Sequence, residues 1–135
     1  MITQNPFDSL PVVSAGFASP ADDYLDPDLD FNQYLKQNPT STFAVRVNGD
    51  CMKDAHIPHN AMVVFDRSLK PPNNSIVVGV LDGEKFIKHI VRTQDGIFLL
   101  PASSKFKSIK IEEGMDLQIW GVVRHAVIDV LNPRL

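Results

Sequence analysis

Cysteine is all but absent: Cys51 is the only one in 135 residues. A lone thiol excludes an internal disulfide framework and fits a reducing compartment. Long apolar runs are missing too, and nothing approaches the roughly eighteen consecutive residues of a membrane span. Residues 1–8 (MITQNPFD) lack a charged segment leading into an apolar core, so they do not read as a signal peptide. No basic run occurs. With a formal net charge of −3, direct binding to nucleic acid through its phosphates finds no support. Zinc-type spacing is lacking as well: Pro58 stands between His56 and His59 and blocks a ligand-bearing helix, and His89 and His125 form no second pair. Repeats and low-complexity segments are absent. What remains reads as a cytoplasmic, soluble chain of one domain's length. Its 44% hydrophobic and 21% charged fractions are ordinary for a globular protein. No metal or cofactor is expected.

The chain is organised around residues 43–57. Phe43, Val45 and Val47 alternate with Ala44 and Arg46, the period of a half-buried strand. The run breaks at Asn48-Gly49-Asp50, a cluster of turn formers, and Cys51 follows immediately. Ahead of this, Pro6, Pro11, Pro20 and Pro27 rule out a helix over residues 1–27 and leave an extended arm. The arm reads either as a disordered tail or as a substrate segment, with Ser14-Ala15-Gly16 supplying small residues beside a scissile bond. Residues 28–38 read as one helix, with Asp28 or Asp30 as its cap and Asn38-Pro39 as its end. Phe31 and Tyr34 are expected to pack in the core. From residue 43 onward the pattern is β. Strands are expected at 61–65, at 75–81 and 84–91 across the Asp82-Gly83 turn, at 97–100 and at 109–111. The run 117–131 is too long for one flat strand, and Gly121 marks a bulge or bend in it. Read as a long edge strand, its part from Trp120 to Leu131 invites pairing with a second copy.

Cys51 sits where a nucleophile is useful. At the end of a strand and on a tight turn, the backbone N–H groups of Asp50 and Cys51 can point at a developing oxyanion. The plain alternative is a buried structural thiol, and its place after Gly49-Asp50 argues against that. Lys88 is the candidate base, in the strand-like run 85–91 with Phe86, Ile87 and Ile90 as apolar neighbours. Alternation leaves open whether Lys88 faces a site or solvent. His89, next to it on a strand, faces the other way and is a poor rival base.

These residues resemble the LexA/UmuD family of self-cleaving Ser–Lys peptidases. The nucleophile motif Gly-Asp-Ser-Met stands here as Gly49-Asp50-Cys51-Met52, and the base motif as Asp82-Gly83 followed by Lys88. The cleavage motif stands as Ala15-Gly16-Phe17-Ala18-Ser19-Pro20-Ala21. Asp30-Phe31-Asn32-Gln33, Leu99-Leu100-Pro101 and Trp120-Gly121-Val122-Val123 also match, in order and over nearly the whole chain. The resemblance implies a mainly β, LexA/signal-peptidase-like domain over 28–135, with one short helix and an N-terminal arm over 1–27. It implies cleavage between Ala15 and Gly16 through a Cys51/Lys88 dyad, stimulated by a RecA–ssDNA filament. The trimmed homodimer would then serve a UmuC-like polymerase subunit in error-prone translesion synthesis of the SOS response. A LexA-like repressor would need a DNA-binding domain ahead of the cleavage site, and fifteen residues do not form a helix-turn-helix. A non-cleaving binding module with an inactive nucleophile is the other alternative.

One departure matters: the family's serine is cysteine here. A free thiol titrates about two units below an amine, so in water the proton of such a pair prefers the lysine. A Cys–Lys dyad can therefore rest as thiolate and ammonium, with the lysine ready to protonate the leaving amine. Sulfur is also larger than oxygen, and a misplacement of about 1 Å costs on the order of 10²-fold in rate.

Overall fold

The computed structural model describes residues 6–16 and 29–131. The chain divides into two compact units, residues 1–37 and 38–135. In the first, Pro6–Ser9 forms a single 3-10 turn, and α1 spans Phe31–Leu35. Asp30 is its cap, with Oδ1 accepting from the Asn32 and Gln33 N–H groups at 2.9 and 3.3 Å. Phe7 stacks on Tyr34 with ring centroids 6.0 Å apart. The helix is shorter than the expected 28–38, and nothing in it is buried. Phe31 is 67% exposed, which corrects its expected core role. Five residues are too few to present an apolar stripe to anything.

The second unit is a seven-stranded antiparallel sheet in the order β1-β2-β7-β3-β4-β5-β6. Its strands are β1 Thr42–Arg46, β2 Met62–Asp66, β3 Ile76–Leu81, β4 Glu84–Thr93, β5 Gly96–Leu100, β6 Ile109–Lys110 and β7 Leu117–Val127. The mainly β architecture with one short helix is as expected. Both faces of the sheet are covered. Val78 joins a cluster with Val63, Phe65, Met52 and Ile57, while its neighbour Val77 joins one with Ile90, Leu99 and Val122. Adjacent strand residues point to opposite faces, so a sheet buried on both sides reads as a near-continuous apolar run. Burying each such side chain contributes about 1.5–3 kcal/mol.

The β3–β4 hairpin forms across the expected turn, where Asp82 (φ 49°) and Gly83 (φ 87°) both take the left-handed conformation. That backbone twist matches the twist of the flanking strands. β7 pairs with β3 through its first half and with β2 through its second. Register slips between Val78 and Gly79, leaving Trp120 as the extra residue next to Gly121, and again between Val64 and Phe65. The bulge foreseen at Gly121 is therefore present. A Cβ on Gly121 would stand 2.7 Å from the Asp66 carbonyl oxygen, so the strands approach too closely there for any larger residue. β7 lies inside the sheet, between β2 and β3. This corrects the reading of 120–131 as an edge strand. Beyond it, Ile128, Val130 and Leu131 remain exposed.

At the end of β2 lies Asp66, fully buried. Its Oδ1 accepts from Ser41 Oγ (2.7 Å), Ser68 N–H (2.8 Å) and Ser68 Oγ (2.7 Å), and its Oδ2 from Asn38 Nδ2 (2.6 Å). Burial alone would raise its pKa, but these bonds to the charged form outweigh it and hold the carboxyl well below the usual range. Among the described residues, no helix is long and apolar enough to cross a membrane.

Candidate active site

Between β1 and β2 the chain makes one long loop, residues 48–60. Its root is closed by backbone bonds, Val47 N–H to the Ala61 carbonyl at 2.9 Å and Asn60 N–H to the Val47 carbonyl at 2.8 Å. Above them Gly49 takes φ 101°, the left-handed region that favours glycine, and turns the chain toward Cys51. Met52 (0% exposed) and Ile57 (3%) pin the loop into the core. A second anchor comes from residue 102: Ala102 N–H donates to the Cys51 carbonyl at 2.7 Å, and Asp54 N–H donates to the Ala102 carbonyl at 2.8 Å. Cys51 is thus fixed through its backbone on one side and its buried neighbour Met52 on the other.

The Cys51 thiol is half-buried and donates to the carbonyl of Ile87 at 3.8 Å, a long, weak contact. Ile87 directly precedes Lys88 on β4. Cys51 and Lys88 line the same cavity, of about 550 Å³, together with Arg46, Glu84, Lys85 and Trp120. That volume is typical of a small ligand or a short stretch of peptide. Three of its charged residues are cations and one is an anion, in a chain that is acidic as a whole. Among the described residues the thiol's partner is the Ile87 carbonyl rather than the Lys88 amine.

Neither the Asp50 nor the Cys51 N–H is donated to another described residue. Two adjacent unspent donors beside a nucleophile are what an oxyanion site requires. Ala15 and Gly16 are exposed, and Gly16 N–H donates to Ser14 Oγ at 3.2 Å. The rest of the cleavage motif, residues 17–21, lies outside the described residues. His89 turns its Nδ1 to the Asn74 carbonyl at 3.0 Å, away from the role of a base for Cys51. Among the described residues, no group of three or more His, Cys, Asp or Glu side chains is placed to hold a metal.

Three contributors escaped the sequence reading. Ala102 acts only through its backbone, so its side chain carries no signal. Trp120 lines the cavity and lies 6.0 Å from the Lys85 Nζ, measured to the ring centroid. It sits at the bulge of β7, and the bulge was legible through Gly121 although its effect on Trp120 was not. Arg46 was placed only on the strand face opposite Phe43, Val45 and Val47, and it lines the cavity.

A family model described as Peptidase S24-like matches residues 9–124, a span that includes Ala15, Gly16, Cys51 and Lys88. The chain belongs to that family. Curated relatives agree with the match. Protein SamA of Salmonella typhimurium (strain LT2) is 39% identical over 109 residues, covering 81% of this chain and 75% of SamA. Protein ImpA of Shigella flexneri is 34% identical over 114 residues, covering 84% and 77%. Protein MucA of Escherichia coli is 34% identical over 118 residues, covering 87% and 80%. The motif resemblance to the LexA/UmuD peptidases thus extends to similarity over 81–87% of the chain. Within this S24-like frame, the half-buried Cys51 and Lys88 line the same cavity.

Proposed function

We propose that this S24-like protein cleaves its own arm between Ala15 and Gly16, in the same or in a second copy, with Cys51 as nucleophile and Lys88 as proton carrier. The observation that carries the reading is the shared cavity, in which the thiol meets the carbonyl of the residue next to Lys88. Lys88 takes the Cys51 thiol proton as the sulfur attacks the Ala15 carbonyl carbon, forming a C–S bond while the carbonyl electrons move to oxygen. The Asp50 and Cys51 N–H groups stabilise that oxyanion. Collapse breaks the Ala15–Gly16 C–N bond, and the Lys88 ammonium gives its proton to the departing Gly16 amine. The lysine, now neutral, takes a proton from water as the water attacks the thioester, which releases the Ala15 carboxylate and frees Cys51.

In the cell, the trimmed protein would act as a UmuD-like accessory subunit of an error-prone polymerase after DNA damage. A RecA–ssDNA filament would stimulate the cleavage, and a UmuC-like subunit would receive the product. Copies would associate as a homodimer, for which Ile128 (47% exposed), Val130 (86%) and Leu131 (85%) offer apolar surface next to the end of β7. Intact mass of the purified protein after alkaline incubation tests the cleavage. Loss of residues 1–15 supports it, and an unchanged mass across the time course favours a non-cleaving binding module. Sedimentation at micromolar concentration tests the dimer, and a monomer there would refute it.

A further inference from the structure

Loop 48–60 is closed at its root by the two backbone bonds between Val47 and the Asn60-Ala61 pair. One step further from the sheet the backbone ladder stops, and a side chain makes the next rung. Gly49 N–H donates to His59 Nδ1 at 2.8 Å. An imidazole that accepts through Nδ1 carries its proton on Nε2 and is neutral. His59 itself is exposed, so the ring adds little to the core. It directly precedes Asn60, which takes φ 68° to turn the chain into β2.

On the other side of this rung the chain has one residue, Asp50, left before Cys51. Gly49 at φ 101° has wide conformational freedom, and a bond to its N–H removes much of that freedom where it would otherwise reach Asp50 and Cys51. We infer that His59 is a positioning residue for the nucleophile: by accepting from Gly49 it holds the turn from which Cys51 enters the cavity. This role rests on the cleavage reading given above. It also gives a use to a histidine whose spacing from His56 invites a metal-binding interpretation that its geometry does not serve.

The test compares His59→Ala with His59→Asn in the full chain. An asparagine Oδ1 accepts a hydrogen bond at about the distance of Nδ1 and so serves as the conservative rescue. In the unaltered protein a two-bond ¹H–¹⁵N correlation should show His59 protonated on Nε2. His59→Ala should speed hydrogen exchange of the Gly49 amide and slow self-cleavage, each about tenfold, with little change in Tm. His59→Asn should bring both back to within about threefold of the original. Unchanged Gly49 exchange in His59→Ala, in a protein that does cleave, overturns the positioning role alone. Faster exchange with an unchanged cleavage rate overturns it too, as does a His59→Asn protein of normal Tm that fails to recover. An unaltered protein that never cleaves refutes the cleavage reading, and the positioning role falls with it.

Discussion

The two ends of β2 handle polar groups in opposite ways. At its far end Asp66 is fully buried and accepts four hydrogen bonds, from Asn38, Ser41 and twice from Ser68, at 2.6–2.8 Å. At its near end the loop carrying Cys51 is anchored by its backbone and by Met52, yet its chemically useful groups are left underused. The thiol has one weak contact at 3.8 Å, and the Asp50 and Cys51 N–H groups have no described acceptor. A fully satisfied polar cluster fixes structure and has nothing left to offer a substrate. A site needs the reverse: a rigid backbone with unspent donors and a free nucleophile. On the proposed reading, one strand separates a structural device from a chemical one, and variants at each end should behave differently.

The sharpest contrast is expected in the substrate itself. Gly16→Val places a β-branched side chain beside the scissile bond and should abolish self-cleavage, a loss of at least about 10²-fold on the scale that misplacing a reacting bond costs. Because Gly16 is exposed, with no atom within 4 Å of the position its Cβ would take, Tm should stay the same. A Gly16→Val protein that cleaves at the original rate would show that the scissile bond lies elsewhere.

At the structural end of β2 the order of effects reverses. Asp66→Ala strips the acceptor from Asn38, Ser41 and Ser68 and should cost roughly 2 kcal/mol, or about 10 °C in Tm for a unit of this size. The cleavage rate measured well below Tm should not change. The lowered pKa of Asp66 also sets a pH window. Its contribution is complete above about pH 4, where the unfolded carboxylate is ionised, and is lost as pH falls through the lower folded value. Melting curves should therefore show the gap between original and variant widest at neutral pH and narrowing below about pH 4. A gap that is constant with pH would mean that the carboxylate charge is not what the cluster holds.

These contrasts bear on what the sequence could reveal. Local turn chemistry was legible: Asp82-Gly83 announced its hairpin, and Gly121 its bulge, because each glycine answers a backbone need set within a few residues. The turn that carries Cys51 was legible from the order Asn48-Gly49-Asp50 after an alternating strand. Asp66 was readable only as a strand terminator, since its donors come from residues 38–41 and 68 and a polar residue at a strand end is ordinarily solvated. Ala102 holds Cys51 through backbone atoms, which every residue type possesses. Phe31 misled because an aromatic at helical spacing implies a buried face only when the helix is long enough to have one. Alternation could not place Lys88, because residues 84–88 of β4 all line one cavity.

A smaller effect separates sulfur from oxygen at the site. Cys51→Ser should raise the cleavage rate, on the order of tenfold, because the surrounding motif is that of a serine enzyme and a hydroxyl restores the shorter bond to the acyl carbon. The fraction cleaved against time from pH 7 to 10 decides it. A serine protein slower than the cysteine protein throughout that range would show a cavity adapted to the thiolate.

The central claim is that Cys51 and Lys88 form one catalytic pair, and its most direct test is the rate at which residues 1–15 are lost, followed by intact mass in the original protein, Cys51→Ala and Lys88→Ala. The account predicts a fragment beginning at Gly16 from the original protein and none from either variant over the same time, with all three folded to similar Tm. Cleavage of Lys88→Ala at the original rate and position would contradict it.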